Sequence, residues 1–244
     1  YERFKELIGE IAYGETETGR LLGLGVKKAC EKVGGDSCVY AMHSKGLEVS
    51  AYDCHAAPGM ALAYGTSPIG AHHKDAWLIS WEVATDRFSY GREKAEKLIE
   101  LQNIRGGLFE SFVACRFPWV EVGLDLDYYP KLLTAATGVT WDWKQLNTLA
   151  NRVYTLVRAL WIREYGGWSR DMDMPPARWF KEPLTKGPLA GSKLDVDKYS
   201  TLLDFYYELR GWDRRGVPKK STLEKLGLGY TIEALEKAVG GLTP

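Results

Sequence analysis

The sequence predicts a mainly α protein, an irregular multi-helix fold with very little strand. Three observations carry that reading. Apolar residues return at helical spacing in roughly eight separate segments. Cap signals flank those segments, with Pro, Ser or Asp ahead of them and Gly behind. Only residues 46–52 alternate apolar and polar side chains as a half-buried strand does.

Taken in order, residues 3–12 place Phe4, Leu7, Ile8 and Ile11 on one helical face. Leu21, Leu22, Val26, Ala29 and Val33 predict a second helix, stopped by Gly34 and Gly35. Pro58 and the Ser67-Pro68 pair each read as a helix start. The second start would put Gly70, Ala71, His72 and His73 in a first turn, where free N–H groups favour an anion or oxo group. Arg92 to Arg105 carries Ala95, Leu98, Ile99 and Gln102 inward and would close at Gly106-Gly107. The aromatic stretch 108–123 is too apolar for an ordinary loop. Tyr128 to Thr137 is a helix ended by Gly138, and Asp142 with Gln145 forms a capping box for the longest helix. Its expected core stripe is Leu146, Leu149, Val153, Leu156, Val157 and Leu160, with Gly166-Gly167 as the stop. Residues 168–192 read as an ordered loop pinned by Trp168 and Trp179. Asp195 to Arg210 turns Leu202, Leu203, Tyr206 and Leu209 inward, Ser221 and Glu224 would cap a short helix, and a last helix runs over 232–239.

Bulk composition narrows the function. The 244 residues make one large domain or two modest ones. Lys plus Arg and Asp plus Glu both number 32, so charge gives no reason to expect nucleic acid or an anionic membrane as partner. Nine Trp and 14 Tyr predict an aromatic core or an enclosed pocket. No apolar run reaches the ~18 residues of a membrane span, and no signal peptide is visible. The helical pattern already runs at Tyr1, which reads as the later part of a longer polypeptide. Cys30, Cys38, Cys54 and Cys115 contain no CxxC pair, so no self-contained zinc site is encoded. A reducing cytoplasm is expected, with Cys30, Cys38 and Cys54 as buried apolar residues.

The chemistry concentrates between Ser37 and Ala76. All four histidines (His43, His55, His72 and His73) and two of the four cysteines fall there, as a buried reaction site would arrange them. Cys115 lies beside Arg116 in an aromatic segment. Read alone, it is more simply a structural cysteine than a reactive thiolate.

The order of motifs adds a resemblance. Tyr40-Ala-Met-His-x-Lys-Gly-Leu-Glu, Ala51-Tyr52-Asp53, Gly59-Met60-x-Leu62-x-Tyr64 and Gly70-Ala71-His72-His73 come first. Ala114-Cys115-Arg116-Phe117, Pro175-Pro176-x-Arg178 and Tyr206-Tyr207-x-x-Arg210-Gly-Trp-Asp213-x-x-Gly216-x-Pro218 follow. This series resembles the later part of the tungsten-containing aldehyde ferredoxin oxidoreductases, most of all their formaldehyde-oxidising branch from hyperthermophilic archaea.

The resemblance implies the helical second and third domains of that family, with residues 1–45 ending the second and 46–244 forming the third. It implies a tungsten bis-pterin (tungstopterin), a [4Fe–4S] cluster and magnesium bridging the pterin phosphates, with molybdenum as an open alternative to tungsten. Cys115 matches the distant fourth cluster cysteine. The usual triplet of the other three is missing, as are the N-terminal pterin-cradling domain and a glutamate the family places near the metal. Glu110 stands where the family's pterin motif carries Asp, with Val113, Ala114 and Arg116 along the same edge. Lys74 lies where a basic residue would meet a pterin phosphate. His73 matches the histidine near the metal, His72 remains open as its neighbour, and Tyr40 matches an active-site tyrosine. The implied reaction takes a small aldehyde and water to a carboxylic acid. Ferredoxin is the acceptor, the remaining N-terminal domains are in the same chain or a partner, and a homo-oligomer is expected. The alternative is a cofactor-free helical scaffold. A hydrolase is disfavoured, since neither GxSxG nor HExxH occurs.

Overall fold

The computed structural model describes residues 1–120 and 122–244. The chain is helical, as expected, but divided more finely. Its first helices are α1 (Glu2–Tyr13), α2 (Glu17–Leu22) and α3 (Gly25–Val33). Gly25, at φ 73, breaks the single helix expected over 21–33. A 3-10 turn, Gly35–Tyr40, leads into β1 (His43–Ser44) and β2 (Leu47–Glu48). These strands pair antiparallel, His43 opposite Glu48 and Ser44 opposite Leu47. Lys45 and Gly46 both take positive φ, as a tight two-residue hairpin turn requires. The strand expected over 46–52 is thus only two residues long.

After these come α4 (Pro58–Thr66), α5 (Ile79–Ala84) and α6 (Arg92–Gln102). A π-helical segment, Asn103–Phe109, continues α6 directly. Then follow α7 (Phe117–Val120), α8 (Tyr128–Thr137), α9 (Trp143–Tyr165), α10 (Arg178–Lys181), α11 (Val196–Arg210), α12 (Lys220–Lys225) and α13 (Ile232–Val239).

The helix α4 is the hub. Its sequence, PGMALAYGT, is nearly all small or apolar, so it has no face for water, and all nine residues are buried. Two of its free N–H groups, on Gly59 and Met60, donate to the Glu82 carboxylate at 2.6 and 2.8 Å. Lys94 Nζ holds the same carboxylate at 2.7 Å, completing a buried ion pair that orients α5 and α6 on the start of α4. Leu98 of α6, with Leu202, Leu203 and Tyr206 of α11, packs around Met60, Leu62 and Tyr64. Each such side chain contributes about 1.5–3 kcal/mol by leaving water.

Several local readings are corrected by packing. Residues 67–78 are turns and bends rather than a helix. Ser67 Oγ donates to Asp75 Oδ2 at 2.7 Å, and Gly70 at φ 107 lies so close to the Ser44 carbonyl that no Cβ would fit. Gly106 and Gly107 do not end a helix. A Cβ on either would strike Tyr154 or Ala150 of α9, so these glycines let the π segment press against α9. On α9 the most buried face is Leu146, Ala150, Tyr154, Arg158 and Ile162; of the expected stripe Leu146 lies on it and Leu149, Val153, Leu156 and Val157 flank it half-buried. Leu160 points to water. Ser221 lies inside α12 and gives no cap, whereas the Asp142–Gln145 capping box forms as read, and Asp195, read only as a helix start, caps α11 through the Asp197 and Lys198 N–H groups.

The polar residues of α9 explain the shift of its stripe. Asp173, fully buried, accepts two bonds from Arg158 at 2.8 and 3.0 Å, one from Tyr207 at 2.7 Å, and pairs with Lys45 at 3.2 Å. These donors hold the Asp173 carboxyl below the usual carboxylate range against the effect of its burial. Arg210 donates to Asn103, Asn151 and Gln102 at 2.8–2.9 Å, locking α11 to the π segment and α9.

The cysteines differ from expectation too. Cys30 and Cys38 form a disulfide between α3 and the 3-10 turn, so neither is an isolated apolar filler. Cys54 is buried and free as read, and Cys115 is free and exposed.

Candidate redox site

Two loops build the site. The first is the turn segment 67–78 between α4 and α5, and the second is the end of the π segment with the turn 110–116. His73 sits among aromatic rings. Tyr52 lies 5.4 Å from it, Trp77 6.4 Å in an edge-on arrangement, and His72 stacks at 5.9 Å. His72 Nδ1 is buried without a hydrogen-bond partner, 3.8 Å from Asp75. Asp75, held by Ser67, is pushed up by burial.

Both imidazoles favour their neutral form. Burial pulls His73 down, and the Arg116 and Arg105 guanidinium groups add to this. Burial does the same for His72, with Lys74, His73 and Arg116 reinforcing it against Asp75. Arg105 is only 7% exposed, its Nε has no partner among the described residues, and burial, with the Arg116 charge, brings its pKa down to about 10. Its guanidinium lies 5.3 Å from the Trp119 ring. Among the described residues Arg105 has no carboxylate partner, and a buried cation so placed is one that an anionic group would stabilise.

The sequence-derived residues are distributed as follows. Lys74 and Glu110 meet as an ion pair at 3.0 Å, so the two loops are tied at their rims. Ala114 N–H donates to the Phe109 carbonyl at 3.0 Å, and Val113 takes the left-handed conformation, turning the chain so that the Cys115 thiol is exposed. The Tyr129 hydroxyl is buried without a partner, and burial and the nearby Cys115 raise it above the ordinary tyrosine value. Tyr40 is 66% exposed, and the group over its ring is Arg178 at 5.4 Å. The tyrosine beside His73 is Tyr52. It belongs to the Ala-Tyr-Asp motif, which carried no assigned role in the sequence. Arg105 was also missed there, because it gains its place only from the fold.

Among the described residues no group of three or more His, Cys, Asp or Glu is placed to hold a metal ion. Cys115 therefore offers one thiolate, and three further cluster ligands would come from outside this chain. An exposed thiol next to Arg116 suits one corner of an anionic cluster. No helix among the described residues is long and apolar enough to cross a membrane.

Comparison with known proteins fits this arrangement. A family model described as aldehyde ferredoxin oxidoreductase, domains 2 and 3, matches residues 1–228. The tungsten-containing aldehyde ferredoxin oxidoreductase of Pyrococcus furiosus is 31% identical over 193 residues, 77% of this chain and 31% of the relative. That of Thermococcus kodakarensis is 29% identical over 226 residues, 91% of this chain and 36% of the relative. The WOR-like subunit of an aliphatic sulfonate oxidoreductase from Pyrococcus furiosus is 27% identical over 223 residues, covering 86% and 32%. The chain thus spans about a third of the length of these curated relatives. A solved structure, the active site complex BamBC of benzoyl coenzyme A reductase with 1,5-dienoyl-CoA, superposes with a TM-score of 0.69. It covers 97% of this chain and 40% of that one at 23% identity, a likeness of fold alone.

Proposed function

The chain belongs to the aldehyde ferredoxin oxidoreductase family, as its second and third domains, and from that premise we propose that it is the C-terminal portion of a tungstopterin oxidoreductase. Its reaction in this reading is oxidation of small, formaldehyde-like aldehydes to carboxylic acids with ferredoxin as acceptor. The observation that carries it is the packing of His73 against Tyr52, Trp77 and His72, on a loop that the Lys74–Glu110 ion pair ties to the turn exposing the free Cys115 thiol. When bound, tungstopterin supplies the two-electron oxidation and the iron–sulfur cluster a one-electron path outward.

The chain's own residues have these roles in the proposal. Cys115 provides one cluster thiolate, and the Glu110–Lys74 pair with Ala114 forms a polar edge for a pterin. His73, neutral near pH 7, accepts a proton at a ring nitrogen as water adds to the carbonyl carbon, and Tyr52 is placed to share it. Trp77 and Tyr52 keep bulk water from the imidazole. Arg105 and Arg116 form a cationic wall that favours the developing carboxylate and disfavours cationic substrates. Tyr40 has at most a rim role. The division at residues 45 and 46 is supported by the sparse burial of α1–α3. A cytoplasmic location is compatible with the Cys30–Cys38 bond, because intracellular proteins of hyperthermophiles also carry disulfides.

The test is made in the intact, full-length protein. Cys115→Ala loses cluster iron, and retention of four irons per protein rejects the ligand assignment. His73→Phe lowers turnover while tungsten content stays at the wild-type level. Wild-type turnover in that variant removes His73 from the chemistry. Absence of both tungsten and iron from the native protein favours the scaffold.

A further inference from the structure

A second cavity, of ≈ 400 Å³, opens between the β1–β2 hairpin and residues 171–177. None of its lining residues belongs to the redox site. It falls in the size range of small-ligand pockets. One wall is apolar, made by Met172, Met174 and Tyr165. The lining also carries polar residues, Ser44, His43 and Lys27 among them. Ser44 is 2% exposed, and its hydroxyl is buried without a partner although it lines the cavity. An unmade hydrogen bond of this kind costs about 1–3 kcal/mol unless a ligand or water completes it. His43, next to it, accepts the Gly46 N–H at Nδ1 (3.4 Å), so its neutral ring carries the proton on Nε2 as a donor. Lys27 adds an exposed ammonium.

Charge decides between ligand classes. Behind the donors, Lys45 and Arg158 share one carboxylate, Asp173, which leaves one buried positive charge in excess. The acidic groups near the cavity, Asp171 in its lining and Glu48 and Glu31 around His43, are all exposed, where water screens them far more than the buried cations. We propose that this cavity binds a small organic carboxylate, its oxygens on Ser44, His43 and Lys27 and its apolar body against Met172, Met174 and Tyr165. The site stands independently of the redox reading.

Calorimetric titration of the intact protein tests it, with benzoate as probe and benzamidine as the cation of matching shape. Benzoate binds saturably and benzamidine does not. Ser44→Ala weakens benzoate about tenfold or more, as loss of a hydrogen bond to a charged group does. Lys27→Ala, at an exposed position that the fold does not need, also weakens it and keeps the test decisive if Ser44→Ala fails to fold. Arg116→Gln separates this cavity from the cationic wall of the redox site and leaves the benzoate affinity in place. Equal affinity for benzamidine, absence of saturation by about 10 mM benzoate, or loss through Arg116→Gln with no loss through Lys27→Ala overturns the proposal.

Discussion

The helices α1–α3 and the assembly around α4 have the same kind of amphipathic sequence and opposite fates. Around α4, apolar stripes from α6 and α11 find counterparts, and the polar groups that enter with them are paired. In α1–α3, Gly19 and Cys30 are the buried residues, and Phe4, Ile8 and Ile11 stay exposed. The lesson is that helical periodicity reports a capacity to bury a face, whereas burial itself depends on a facing surface. The two regions are also held differently. The first relies on caps, surface ion pairs and the Cys30–Cys38 bond, the second on packing and buried charge networks.

This contrast can be broken most strongly at Asp173. Asp173→Asn leaves Lys45 and Arg158 buried with their shared charge removed, and a loss of about 3–5 kcal/mol in denaturant unfolding is expected. Leu202→Ala empties a fully buried site and costs about 2–5 kcal/mol by the same measurement. The network also has a pH signature. Burial brings Lys45 down to about 8, while an unfolded lysine titrates near ~10.4. Between those values the unfolded chain binds the extra proton, so this residue's contribution grows as pH rises. Wild type should gain stability relative to Lys45→Met across that window, and a flat difference would show Lys45 to be charged throughout.

Weaker effects belong to the N-terminal helices. Cys38→Ser removes the cross-link, worth about 2–3 kcal/mol for so short a loop. Hydrogen exchange should accelerate in α3 and residues 35–40 while α4 stays protected. Acceleration in α4 would show that the two regions form one cooperative unit. Ile8→Ser, the mildest, should shift stability by no more than about 0.5 kcal/mol. A loss above ~1 kcal/mol in the full-length protein would mean that another segment covers this stripe.

The redox site was legible unevenly. Its histidines and Cys115 stood out because scarce residue types clustered or matched a motif, and Glu110 and Lys74 entered as neighbours in those motifs. Tyr52 was passed over for Tyr40, since both precede the histidines in sequence and only the fold shows which ring lies against His73. Arg105 gave no signal, because an arginine between helical residues usually reaches water. The turn at 67–78 was misread as a helix because Ser-Pro is a strong local start, and here a tertiary contact at Gly70 prevails over it.

From the sequence alone came the helical class, the Asp142 cap, most helix ends and the family resemblance. These depend on residues within one or two turns of each other, or on their order along the chain. The tertiary structure decided the π segment through Gly106 and Gly107, the face of α9, the disulfide, and the packing of His73 against Tyr52 and Trp77. Each of those depends on which surfaces face one another, and the energy of a buried charge or a missing Cβ is set by neighbours distant in sequence.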